Sequence, residues 1–188
     1  MTRLFVRWRK LPIRVTTEHK AALARALQSR FRKLQEGALY IVDGQRPKDF
    51  AEGISIDLGL ILIALTECLG SRRAAEATLR DIIAVFLDFF DPPAADRRYI
   101  EFRRFNLDRQ FEMARAWQAS HTDRRLEAVL SIGARLLFGA EIDAARIAKL
   151  LVRDARPIYV RTLRVFGRGV DSGSLAPGEM TLSATETR

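Results

Sequence analysis

The chain has 188 residues and a formal net charge of +9, from 32 Lys and Arg against 23 Asp and Glu. Hydrophobic residues make up 48% of it, which argues against intrinsic disorder and predicts a packed core. One cysteine excludes an intramolecular disulfide, and the two histidines, far apart in the sequence, exclude a zinc site with the usual ligand spacing.

The N-terminal segment, residues 3–15, is predicted to form a small β element. Leu4, Val6 and Trp8 alternate there with arginine and phenylalanine, which is the period of two of a strand. The segment lacks the apolar core of a signal peptide, and no apolar run in the chain is long enough to cross a bilayer. A cytoplasmic location without membrane contact is therefore expected.

A first helix is predicted from about residue 17 to residue 36. Thr16 or Thr17 supplies its N-cap, and Gly37 ends it as the residue after the C-cap. Between these ends the apolar side chains recur at helical spacing, at Leu23, Leu27, Phe31 and Leu34.

A short strand, residues 38–42, is predicted next, because its β-branched and aromatic residues run into the turn dipeptide Asp43-Gly44. This stretch also resembles the strand and turn of the ParB/sulfiredoxin superfamily, in which an Ile-Val strand leads into Asp-Gly-Gln and a nucleotide-contacting arginine. The resemblance implies a nucleotide-dependent protein that acts on DNA, with Asp43, Gly44 and Arg46 as nucleotide-binding residues. A plain hairpin-type turn explains the same dipeptide without a ligand.

Six further helices are predicted after this turn. Ser55 or Asp57 caps an apolar helix that ends at Gly70, and Ser71 caps the next helix, residues 72–90. The pair Pro92-Pro93 follows that helix. The remaining predicted helices are 94–119, 122–138 with Thr122 as its cap, 144–153 with Asp143 as its cap, and a last one that begins at Pro157 and ends at Gly167.

These elements predict a mainly α fold of about seven helices with a small N-terminal β element, and they leave an α+β class open. The proline pair is the predicted domain boundary. It separates an α/β-containing helical region, residues 1–91, from a second helical region, residues 94–169. Residues 170–188 are rich in Ser, Gly, Pro and Thr and are predicted to form a flexible tail or a wing.

Positive charge is concentrated in the C-terminal helices, because residues 146–168 contain one acid, Asp154, and nearly all the other charged residues there are arginine. A basic helix face fits the major groove of DNA, where arginine binds both phosphates and guanine edges. Codon bias in a GC-rich genome explains an arginine excess equally well. The residues predicted to bind nucleic acid are Lys149, Arg153 and Arg156, which hold phosphates, and Arg161, Arg164 and Arg168, which share one helix face.

The segment from Ile142 to Arg164 resembles the helix-turn-helix and winged-helix superfamily. In that pattern a small residue of the first helix, here Ala148, lets the second helix cross closely, and Leu151 and Ile158 occupy the flanking core positions. The resemblance implies DNA binding through the last helix, and the Gly-Ser-Pro turn of the tail is compatible with a wing. The alternative is a three-helix bundle whose basic face is simply solvated.

Three functions follow from these observations. The first is a cytoplasmic DNA-binding regulatory protein, of the kind that a plasmid or another mobile element encodes. The second is a helical adaptor or inhibitor that binds an acidic protein partner, and the third is the ParB-like protein of partition or conjugation inhibition. No catalytic group, metal site or cofactor is expected, an enzyme is the less favoured class, and the sequence does not give the oligomeric state.

Overall fold

The computed structural model of the chain describes residues 13–47, 50–88, 112–120 and 125–166. Within these ranges β structure is limited to an isolated antiparallel bridge between Val42 and Gln45. The prediction of a mainly α fold is confirmed. The helices in the described ranges are α1 (Thr17–Gln35), α2 (Phe50–Leu69), α3 (Arg72–Leu87), α4 (residues 112–119), α5 (Arg125–Phe138) and α6 (Ala144–Val165).

Both ends of α1 are fixed by local hydrogen bonds. The Thr16 hydroxyl accepts from the backbone N–H of His19, and His19 Nδ1 accepts in return from the backbone N–H of Thr16, which forms a capping box. At the other end Gly37 has a φ of +67°, and the N–H of Ala38 donates to the carbonyl of Lys33 in a Schellman motif. The predicted cap at Thr16 and stop at Gly37 are confirmed.

Thr16→Ala is expected to lower the free energy of unfolding by about 1 kcal/mol, because the His19 N–H loses its acceptor at the helix start. Urea denaturation followed by circular dichroism measures this loss. Thr17→Ala is the matched control, since Thr17 is exposed and is the first helical residue rather than the cap. Equal losses in the two variants would contradict a capping role for Thr16.

Helix α2 is the centre of the fold and is apolar on nearly all sides. It packs against α1, α3, α5 and α6, and its residues from Ile54 to Leu65 are buried. Glycine allows close approaches to this helix at several points: for example, a Cβ on Gly59 would lie 2.7 Å from Sδ of Met113 in α4, and one on Gly133 of α5 would lie 2.8 Å from Cδ1 of Ile56. A helix surrounded by neighbours must be hydrophobic all round, as this one is.

The predicted start of α2 is wrong. The helix begins at Phe50, so Ser55 and Asp57 lie inside it and are buried rather than acting as caps. When only the neighbours in sequence are considered, an aspartate in an apolar run is interpreted as the N-cap of a helix. Here Arg30 of α1 pairs with the Asp57 carboxylate instead, and that partner is distant in sequence.

The predicted strand at 38–42 is also wrong. Tyr40 has a φ of +56°, which no strand residue adopts, and only Val42 forms a bridge, to Gln45 across a two-residue turn. Asp43 and Gly44 both have positive φ, the conformation of a type I′ turn. The segment departs from a strand because the Tyr40 side chain is buried against α1 and α2, where its hydroxyl is hydrogen-bonded.

The two helices predicted on either side of residues 154–156 form one continuous helix, α6. Asp143 caps it as predicted, and Pro157 lies inside it rather than at its start. The helix-turn-helix pattern places a turn where the structure has helix. Proline removes one helical hydrogen bond, the one to the carbonyl of Arg153, and both residues are exposed.

Helices from both predicted regions, 1–91 and 94–169, share one hydrophobic cluster, in which Leu27, Ile61, Leu79, Leu130 and Ile158 are buried together. No helix in the described part of the chain is both long and apolar enough to cross a membrane. Several predictions lie outside the described residues, namely the β element up to residue 12, the Pro92-Pro93 boundary, the start of the 94–119 helix, the cap at Thr122 and the tail at 170–188.

Candidate functional site

The outer face of α6 carries a row of exposed cations, which we call the α6 stripe. At 100° per residue their positions fall on one side of the helix, and the row extends about 27 Å along its axis. The opposite side, including Leu151, Ile158 and Leu163, is buried against α2 and α5. The α6 stripe consists of Arg146, Lys149, Arg153, Arg161 and Arg164.

Two members of the α6 stripe form ion pairs. Arg146 Nη2 lies 2.9 Å from Oδ2 of Asp43, and Arg153 Nε lies 3.0 Å from Oδ1 of Asp154. The hydrogen bond to Asp154 raises the pKa of Arg153. Both arginine side chains are mostly in solvent, where ion pairs contribute little and exchange readily.

The other three cations, Lys149, Arg161 and Arg164, have no carboxylate partner among the residues that the structure describes. Asp154 is the acid of α6, and its side chain is largely covered and hydrogen-bonded to the backbone of Tyr40. The exposed face of the helix is therefore strongly positive.

Four of the six residues predicted to bind nucleic acid, Lys149, Arg153, Arg161 and Arg164, lie together on this exposed face. Arg156 is half-buried at its margin. Arg168 lies outside the described residues. Arg146 was not among the residues predicted to bind nucleic acid, although its spacing of seven residues from Arg153 places it on the same face.

The residues predicted to bind nucleotide occupy the turn between α1 and α2. The Asp43 carboxylate accepts a hydrogen bond from Arg146. The Arg46 guanidinium lies over Gly37, and a Cβ on Gly37 would come within 2.6 Å of Cζ of Arg46. Gly44 has the positive φ that the turn requires. A plain turn accounts for these contacts, and a nucleotide role for the three residues stays a prediction.

A buried polar network behind this turn was missed by the sequence analysis. Arg30 Nε lies 2.6 Å from Oδ2 of Asp57, the Tyr40 hydroxyl donates to Oδ1 of Asp57 at 2.5 Å, and Arg30 Nη2 donates to the Tyr40 oxygen at 2.9 Å. Asp57 has no exposed surface. The sequence signal for this network is Asp57 itself, an acid within an apolar run. A carboxylate that is buried needs a basic partner.

The network is strongly polarised. Burial alone would lower the pKa of Arg30, but attraction to Asp57 and Tyr40 and the hydrogen bonds with them outweigh burial and raise it. Burial, followed by the charge of Asp57, raises the pKa of Tyr40. Arg30 is therefore a fixed cation beside a neutral phenol.

The same network ties the turn to α6. Arg30 Nη2 also donates to the carbonyl of Asp154 at 2.8 Å, and Oδ2 of Asp154 accepts from the backbone N–H of Tyr40 at 2.9 Å. These bonds hold α1, the turn and the middle of α6 in one arrangement. The α6 stripe therefore lies on a helix that hydrogen bonds hold in place against α1 and the turn.

A second polar cluster joins α2, α4 and α6. Glu67 Oε1 accepts from Trp117 Nε1 at 2.9 Å, and Oε2 accepts from the Tyr159 hydroxyl at 2.6 Å. The Trp117 and Tyr159 rings lie 5.1 Å apart, and the Arg125 guanidinium lies 5.8 Å from the Trp117 ring centre. Burial, then the hydrogen bond to Glu67, raises the pKa of Tyr159.

No group of three or more His, Cys, Asp and Glu side chains in the described part of the chain is arranged to hold a metal ion. Cys68 is buried in α2.

Comparisons with protein-family models, with curated proteins and with solved structures gave no match to this chain.

Proposed function

We propose that the protein binds duplex DNA through the α6 stripe. The observation that carries this proposal is the row of exposed cations on one face of α6, of which Lys149, Arg161 and Arg164 lack a carboxylate partner in the described residues. Closely spaced phosphates attract such a row, and the release of their counterions drives binding.

The shape of the surface favours a nucleic acid over a folded protein. A helix that presents charge over about 27 Å matches the groove and backbone of a duplex. Most protein interfaces instead have a core depleted in charge and rich in aromatic side chains. The proposed interface is the length of one helix, rather than a recognition helix set apart by a turn.

The triple variant Lys149→Ala, Arg161→Ala, Arg164→Ala is expected to weaken duplex binding and to reduce its salt dependence. Each lost phosphate contact lowers the slope of log K against log salt by about 0.9, so the slope falls by about 2.7. Fluorescence anisotropy with a labelled duplex, repeated over a range of salt concentrations, measures both quantities.

The matched control replaces three exposed arginines on other helices, Arg25 of α1 and Arg73 and Arg80 of α3, with alanine. It removes the same charge from a different surface. We expect its salt slope to stay near that of the parent protein. Equal loss in both triple variants would assign binding to net charge alone, and no binding of the parent at low salt would reject the proposal.

An acidic protein partner is the second candidate, and one observation favours it. Leu150 lies among the stripe residues with 45% of its surface exposed, and it is the exposed large hydrophobic side chain of the described region. A protein partner would cover it, whereas DNA binding gains little from it. Leu150→Ala should therefore leave duplex affinity unchanged and should weaken binding to an acidic protein partner; a marked loss of duplex affinity would instead show that Leu150 contributes to the DNA contact.

A further inference from the structure

A cleft of about 300 Å³ lies beside α2 and α4, where α3 and α5 begin. This volume is at the small end of the range for ligand pockets. The apolar part of its wall is formed by Leu62, Ile63, Ala114 and Trp117. The cleft includes no residue of the α6 stripe, so it is separate from the surface proposed to bind DNA.

Three arginines line the cleft against one carboxylate. Arg115 is exposed and has no acidic partner in the described ranges. Arg125 donates from Nε to the carbonyl of Ser120, which is neutral. Both oxygens of Glu67 already accept from Trp117 and Tyr159. The cleft therefore has a net positive charge in addition to its apolar wall.

The positions of two of these arginines increase the positive potential. Arg72 is the first residue of α3, and no acid occurs in the first turn of that helix. Arg125 is the first residue of α5, whose first turn contains one acid, Glu127, which does not line the cleft. A helix N-terminus carries a partial positive charge, so it disfavours a cation and favours a bound anion. Arg72 is paired with Glu76, which leaves Arg115 and Arg125 as the main anion ligands.

We propose that this cleft binds a small organic anion, a carboxylate with a flat apolar body. The carboxylate would accept hydrogen bonds from Arg115 and Arg125, and the apolar body would lie on Leu62, Ile63 and Trp117. Guanidinium and carboxylate form charge-assisted bidentate bonds, which are stronger than bonds between neutral groups. Neither the two arginines nor the apolar wall alone selects carboxylates with an apolar body, whereas their combination in one small cleft does.

The test uses Trp117 as the reporter. Trp8→Phe leaves Trp117 as the single tryptophan of the chain, and its emission is followed during titration with benzoate, with benzamide and with inorganic phosphate. We expect a saturable change with benzoate. Benzamide, which is isosteric but uncharged, should bind about tenfold more weakly or worse, because it loses the charge-assisted bonds. Phosphate should also bind more weakly, because it has no apolar body.

Arg115→Ala is the site variant, since an exposed side chain can be removed without disturbing the core. It should weaken benzoate binding by about tenfold. Arg135→Ala of α5, also exposed but not part of the cleft, is the matched control and should bind as the parent does. Calorimetry on the chain that keeps Trp8 repeats each measurement without the reporter substitution.

Three results would each overturn the proposal. They are equal affinity for benzoate and benzamide, equal affinity of the Arg115→Ala and Arg135→Ala variants for benzoate, and the absence of saturable benzoate binding in both methods. Duplex binding by the same protein samples is independent of all three, so failure here leaves the proposal for the α6 stripe unaffected.

Discussion

Asp57→Ala is expected to lower the free energy of unfolding by about 3–5 kcal/mol, which is a large fraction of the roughly 5–15 kcal/mol typical of folded proteins. The substitution leaves the buried guanidinium of Arg30 without its counter-charge and the Tyr40 hydroxyl without its acceptor. The penalty for an uncompensated buried charge exceeds the cost of the missing side-chain volume. Urea denaturation measured by circular dichroism and by tryptophan fluorescence gives the loss.

The chain contains a matched control for this effect. Lys20 and Asp81 form an ion pair between α1 and α3 in which both side chains are partly exposed. Because water solvates these charges in either state, Asp81→Ala should cost no more than about 1 kcal/mol. A loss for Asp57→Ala as small as that for Asp81→Ala would show that the Arg30 charge reaches solvent.

A double variant separates charge from packing. Replacing both partners, as Arg30→Met with Asp57→Leu, removes the buried charges together and should recover part of the stability lost in Asp57→Ala. Recovery will be incomplete because the Tyr40 hydroxyl and the carbonyl of Asp154 still lose their partners. If the double variant is less stable than Asp57→Ala, the effect comes from packing and not from the unpaired charge.

The features that were predicted correctly are those decided within a few residues. The caps at Thr16, Ser71 and Asp143 and the stop at Gly37 each depend on a side chain or a φ angle at the helix end, and all four are confirmed. Helical spacing also placed Arg161 and Arg164 on one face, but the continuous α6 stripe was not predicted, because a turn was expected between residues 153 and 157.

The errors occurred where a partner distant in sequence decides the local structure. Asp57 lies in the middle of α2 because Arg30 neutralises it, and residues 38–42 form no strand because Tyr40 turns inward to the same pair. Pro157 does not begin a helix because α2 and α5 hold α6 together on its buried side. No pattern within a window of the sequence contains these partners, so propensity gave the wrong element boundary.

Glu67→Ala is expected to cost about 2–4 kcal/mol, the second largest effect. Glu67 is the common acceptor for Trp117 of α4 and Tyr159 of α6, so its loss leaves two largely buried donors without partners. Each orphaned donor costs about 1–3 kcal/mol. The exposed acid Glu112 of α4 provides the control, and Glu112→Ala should stay within about 0.5 kcal/mol of the parent.

Glu67→Gln tests whether the two hydrogen bonds, rather than the side-chain volume, account for that loss. The amide oxygen can still accept from Trp117 Nε1, and the amide N–H₂ can donate to the Tyr159 oxygen, but the Tyr159 proton then loses its acceptor. We therefore expect a stability between those of the parent and Glu67→Ala. Adding Tyr159→Phe to Glu67→Gln removes the donor that faces the amide nitrogen, and it should cost less than Tyr159→Phe does in the parent. Equal costs in the two backgrounds would mean that the Tyr159 hydroxyl does not depend on Glu67, and the link between α2 and α6 would then rest on apolar packing alone.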